Sequence, residues 1–210
     1  MASDDTGSIE SVLSKIAEAG KPLGVYAEVN QGVLTGCDTL TNRHLAKLPS
    51  STDRVKNDGI FVLDFTVPRD VDEYESFVEG KNLMKDFYKN SDISRYYSSD
   101  SPTKKLIYYT GELDRNEYPD VYAHMLKFKP ILEERLTTYN EHYHWTAIHR
   151  PRNGKVFEAG VPKIVVPYRT KTNSFAYNEI EWFCRSDCYV ITSKNQGLRL
   201  KALLAILNSD

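Results

Sequence analysis

Residues 119–139 repeat their apolar side chains with helical spacing and carry a proline in mid-stretch. Pro130 has no N–H to give and crowds a preceding carbonyl, so the spacing predicts a helix that kinks or breaks there. The runs that read as strands are short: 60–65, KKLIYYT at 104–110, HYHWTAIHR at 142–150, VPKIVVPYR at 161–169, SFAYN at 174–178 and DCYVIT at 187–192. The prolines flanking 161–169 place that run at a sheet edge or a strand end. GVYAEVNQGVLTG is an extended segment with alternation at Val25, Ala27 and Val29. Residues 8–19 form an amphipathic helix with Ser8 as N-cap and Ile9, Val12, Leu13 and Ile16 as its stripe. Residues 67–76 are an acidic loop, 78–89 a helix, and GLRLKALLAILNSD a closing amphipathic helix. Strands and helices in this irregular succession give an α+β chain and exclude a doubly wound sheet.

The chain has 210 residues, 40% hydrophobic and 27% charged, enough for a core without disulfides or metals. Three cysteines, an odd count, with no leader-like start and no run near the ~20 apolar residues of a membrane span, imply a reduced, cytoplasmic chain away from membranes. The net charge of −2 does not advertise a nucleic-acid partner, but its distribution is uneven. Between His142 and Phe175 the cations are Arg150, Arg152, Lys155, Lys163, Arg169 and Lys171 against the single acid Glu158, a local +5 on a negative body. Such a run fits either a phosphate-facing patch or an ordinary solvated surface.

Residues with possible chemistry of their own form weak constellations. Asp70, Asp72, Glu73 and Glu75 read as a solvated face rather than a metal site. Glu133 and Glu134 beside Arg135 read as surface pairing. His142, His144 and His149 with Cys184 and Cys188 match no common zinc spacing, so no metal site is expected. Cys37 has His44 seven residues on but no further support for a nucleophile. Trp145 and Trp182 are expected in the core.

Several segments share a family pattern. Val29-Asn30-Gln31-Gly32-Val33-Leu34-Thr35-Gly36 resembles the "V-x-Q-G-I-x-T-G" start of the TaqI-like C-terminal specificity domain of adenine-N6 DNA methyltransferases, also found in fused restriction-modification enzymes. Lys89-Asn90-Ser91-Asp92-Ile93-Ser94-Arg95-Tyr96 is similar to its "K-G-x-D-I-x-R-Y". Lys105–Tyr109, Tyr118-Pro119 with Leu126–Arg135, Trp145, Arg150-Pro151-Arg152, Phe157-Glu158, Pro162–Pro167, Phe175-Ala176-Tyr177 and Leu203–Ser209 follow in order. The resemblance spans 21–209; it departs at Asn90, where the family has glycine, and at Cys37-Asp38.

The resemblance implies an α+β target-recognition domain with a mixed, mostly antiparallel sheet and peripheral helices at 21–210, preceded by a helix or linker at 1–20. It implies a piece of a larger enzyme that grips double-stranded DNA while a separate N-terminal methyltransferase domain binds S-adenosylmethionine and receives the flipped adenine. The chain lacks the Pro-Pro loop of that chemistry and a glycine-rich cofactor loop, so no catalytic residue and no cofactor of its own are expected. Its DNA contacts are expected from Lys155, Lys163, Lys171 and Thr35 to phosphate, and from Arg150, Arg152 and Arg169 to phosphate or guanine. Gln31 and Asn173 would read adenine, Gly32 and Gly36 would admit the duplex closely, and Arg95 with Tyr96 and Tyr97 would form a second surface. A specificity subunit of a multi-subunit restriction enzyme, a protein-interaction domain and a free-standing hydrolase stand as alternatives.

Overall fold

A computed structural model describes residues 5–139, 142–194 and 198–209. Its elements are α1 (Asp5–Ala19), β1 (Ala27–Gln31), α2 (Asn42–Leu45), β2 (Val62–Asp64), α3 (Pro68–Ser76), β3 (Met84–Tyr88), β4 (Lys104–Ile107), α4 (Pro119–Leu126) and α5 (Lys129–Tyr139). They continue with β5 (Lys163–Pro167), β6 (Ala176–Asn178), β7 (Phe183–Cys184), β8 (Cys188–Ser193) and α6 (Leu200–Leu207). The predicted long helix is thus two. Pro130 falls in the first turn of α5, where its missing N–H leaves nothing unpaired.

The strands make two four-stranded sheets, β1-β8-β5-β6 and β2-β4-β3-β7. All pairings are antiparallel except β3 with β7. The fold class is the α+β arrangement expected. The period of two along the strands sorts the first sheet's side chains. Val165, Ala176 and Val190 enter a main core shared with Phe87, Leu106 and Phe183 of the second sheet. Ala27, Ile164 and Ile191 face the other way, where Leu200 and Leu204 of α6 cover them.

Several local expectations are corrected. Residues 67–76 are not a loop. Pro68 opens α3, and Asp70 in its first turn accepts the N–H groups of Gly59 and Asp64 at 2.9 and 2.8 Å. Asp70 is buried, and burial raises its carboxyl to about 6. Glu73 turns inward as well, 3.0 Å from His124 Nδ1, 2.5 Å from Lys127 and 3.3 Å from Arg54. Burial alone would raise its carboxyl, but His124 and Lys127 hold it well below the usual range. Residues 78–89 form a 3-10 turn and strand β3 rather than a helix, because β3 is hydrogen-bonded on both sides. Residues 142–150 form no strand, yet Trp145, Ala147 and Ile148 are buried. The proline-flanked β5 lies between β8 and β6, not at an edge. Ser8 lies inside α1, and Ile9, Val12, Leu13 and Ile16 are 53–63% exposed. Val25 and Val29 are exposed too, so of the expected alternation only Ala27 is buried.

Candidate nucleic-acid interface

One end of the first sheet collects chain from across the sequence. β1 ends at Gln31 opposite Tyr189, β5 ends at Pro167 opposite Cys188, and β6 begins at Ala176 opposite Val165. The segments 32–36, 168–175 and 185–187 therefore leave from the same rim. Two more are tied to it by backbone hydrogen bonds. Arg150 and Leu34 exchange N–H···O bonds of 2.7 and 3.1 Å, and the Tyr96 N–H donates to Phe175 O at 2.8 Å.

The rim is rich in exposed cations: Arg95, Arg150, Arg152, Arg169, Lys171 and Arg185. Several are oriented. Arg152 donates Nη2 to Gln31 Oε1 at 2.6 Å, and Gln31 donates Nε2 to Ser186 O at 2.8 Å. Arg150 Nε lies 3.3 Å from His149 Nε2. His149 Nδ1 lies 3.1 Å from the Tyr143 hydroxyl. Arg169 lies over the Tyr168 ring, 5.4 Å from its centroid. Arg185, 53% exposed, lies 3.4 Å from Asp38, whose other oxygen accepts the Thr35 hydroxyl. Two rim residues, Tyr96 and Arg152, hold left-handed backbone at φ 70° and 62°. Non-glycine residues pay about 1–2 kcal/mol for that conformation, and such strain gathers at functional surfaces.

Of the residues expected to meet DNA, Gln31, Arg95, Arg150, Arg152, Arg169, Lys171 and Asn173 lie on or beside this rim. Lys155 is exposed in the 3-10 turn Gly154–Phe157 that follows Arg152. Two do not present their polar groups. Lys163 is fully buried and donates Nζ to Glu158 O at 2.9 Å and Ile180 O at 2.7 Å. Burial pushes its ammonium down to about 8. Thr35 is buried, its hydroxyl donated to Asp38 and accepting the Cys37 N–H. Gly32 is close-packed against this chain itself: a Cβ there would sit 2.1 Å from Arg185 O. Gly36, at φ 81°, would meet Arg135 in the same way. Arg185 carries no sequence signal of its own; it stands between two short strands, and the start of β8 and its proximity to Gly32 place it on the rim.

The sequence decoys resolve into structure. Cys37 Sγ is 3.8 Å from His44 Nδ1, but burial pushes the thiol up to about 12. The Cys184 thiol and burial raise Cys188. His144 bonds Thr146 at 2.6 Å, and no group of three or more metal-ligating side chains occurs among the described residues. Arg135 is buried, not surface-paired, while Glu134 meets Lys47 and Glu133 meets Lys129. Gly32 follows a strand, but carbonyl oxygens of Cys184 and Arg185 fill the space in front of it.

Three of the resembling motifs converge beside the rim. Asn208, fully buried, donates Nδ2 to Phe175 O at 2.8 Å and accepts the Phe175 N–H at 3.0 Å, while Arg95 donates to Asn208 O. Residues 120–210 match the model of the TaqI-like C-terminal specificity domain. The resemblance to TaqI-like specificity domains is thus borne out over that stretch. Among solved structures, the Type IIL restriction-modification enzyme MmeI, determined in complex with DNA, is similar at 10% identity with a TM-score of 0.48 over 87% of this chain. The chain spans 20% of that one's length. No curated protein matches. Among the described residues no helix is long and apolar enough to cross a membrane.

Proposed function

We propose that the chain is the double-stranded DNA recognition module of an adenine-N6 DNA methyltransferase or fused restriction-modification enzyme. It acts in the cytoplasm and takes no part in methyl transfer itself. It positions the target adenine for a separate methyltransferase domain, which would hold S-adenosylmethionine. α1, with its apolar residues exposed, is the segment that would join the two.

The observation that carries the reading is the rim, where cations from four separate segments meet on one end of a sheet in a chain of net charge −2. Phosphate contacts supply most of the affinity and their removal is read in salt dependence. The TaqI-like match over 120–210 supports the same reading.

Binding of the chain to a pool of random-sequence duplexes at 50 and 200 mM salt tests it, beside a variant with Arg150, Arg152, Arg169 and Lys171 changed to Ala. The slope of log K against log salt is expected to shrink by about 3–4 in the variant, near 0.9 for each phosphate no longer neutralised. Equal slopes for both proteins would overturn the rim as the DNA face, and no binding at either salt would overturn the DNA reading.

A further inference from the structure

Gln31 is engaged at both ends of its amide, by Ser186 O and by Arg152. An amide held this way keeps one N–H and one lone pair, but its plane is set by its partners in this chain rather than by adenine's major-groove edge. Its engagement serves the arginine instead. Ser186 lies in the short connection before β8, fixed to β1 by the Gly32 N–H bond to Cys188 O at 2.9 Å. The relay Ser186 O, Gln31, Arg152 therefore ties the guanidinium to the sheet itself. Arg152's backbone is fixed as well. It sits in the left-handed region, and the preceding Pro151 O accepts the Tyr108 hydroxyl at 3.2 Å. Gly154, two residues on, packs under the same tyrosine.

A phosphate contact can be made by a flexible lysine as well as by an arginine fork, and it needs no fixed orientation of the side chain. A planar fork held at both backbone and side chain is organised for a planar, bidentate partner, and the guanine edge with its O6 and N7 is the base that offers one. We infer that Arg152 is a specificity-determining residue that reads a guanine in the recognition site, and that Gln31 is the positioning residue that aims it. This rests on the DNA-recognition reading above.

The test is selection of bound sequences from random duplexes by the full chain, with R152K, Q31L, Q31E and the Q31L/R152K pair compared at matched salt. R152K keeps the charge without the fork. It is expected to relax preference at one G·C pair about tenfold or more while its salt slope stays at the wild-type value. Q31L should relax the same position, and the double variant should be no worse than R152K alone. Q31E retains an acceptor for Arg152 and should keep more of the preference than Q31L. An unchanged sequence preference in R152K, or relaxation by Q31L at a different base pair, would overturn the inference while leaving DNA recognition standing. Wild-type chain that binds duplex DNA without enriching any sequence would overturn the inference too. Absence of any binding would instead sink the reading beneath it.

Discussion

Arg135 donates Nη2 to the carbonyl oxygen of Ala147 at 2.7 Å, joining α5 to a segment with no regular structure. The same nitrogen reaches Trp145 O at 2.9 Å, and Nη1 reaches Thr35 O. The guanidinium lies over the rings of Phe61 and Tyr143, 4.9 and 5.2 Å from their centroids. One buried cation thus takes up the carbonyls of Trp145 and Ala147, and with the Ile148 and His149 N–H bonds to Tyr109 O and Thr35 O it holds the segment where Arg150 meets Leu34. R135M leaves buried carbonyls without donors and is expected to lower stability by about 3 kcal/mol. A urea midpoint shifted down at constant m measures it; an unchanged midpoint would show that the segment holds itself.

Lys163 gives a second test, because a buried lysine and a phosphate-binding lysine behave oppositely. K163M should lower stability by about 2 kcal/mol through the carbonyls it leaves unpaired. It should leave the salt slope of DNA binding unchanged, since Lys163 neutralises no phosphate. The sign of its pH dependence follows from its lowered pKa. Between about 8 and the ordinary 10.5, the folded chain binds fewer protons at this amine than the unfolded chain. Stability therefore gains as pH rises through that window, and K163M should lose this increment. A K163M variant with wild-type stability and a reduced salt slope would return Lys163 to the DNA surface.

Cys37, with its thiol pushed up to about 12, and the buried Cys184 and Cys188 should resist iodoacetamide at pH 8 in the native chain and react in urea. Rapid native labelling of Cys37, counted by intact mass, would mean that the pocket around His44 opens.

Gly32 is required by this chain's own packing. G32A would drive a Cβ into the Arg185 and Cys184 carbonyls, and overpacking of this kind costs about 1–3 kcal/mol. Because the displaced backbone carries Arg185, G32A should weaken duplex binding as well as melting earlier. A melting temperature equal to wild type would contradict the close packing.

Much of this is legible in the sequence, and the gaps have physical causes. The helical period of 119–139 and the short apolar runs around 62, 106, 164 and 190 mark elements that bury apolar side chains at regular spacing. α3 escapes that pattern because its inward residues, Asp70 and Glu73, are acids satisfied by backbone N–H groups and by cations, so no apolar stripe marks it. β3 reads as a helix because Met84, Phe87 and Tyr88 also fit a helical face, and only pairing with β4 and β7 decides. Trp145, Ala147 and Ile148 make a strand-like run that Arg135 holds by its carbonyls while Trp145 and Ile148 pack in the main core. At the interface, local charge locates the segments 150–152 and 169–173. The sheet that gathers them, and Arg185 with them, is a matter of long-range pairing that no local pattern records.

The most direct test of the central claim is chemical-shift mapping of the isotope-labelled chain as a selected duplex is titrated in. The account predicts that amide shifts gather at 95–97, 150–152, 168–174 and 185–187, with α1 and α6 unperturbed. Shifts confined to α1 or α6, or spread evenly at saturating duplex, would contradict it.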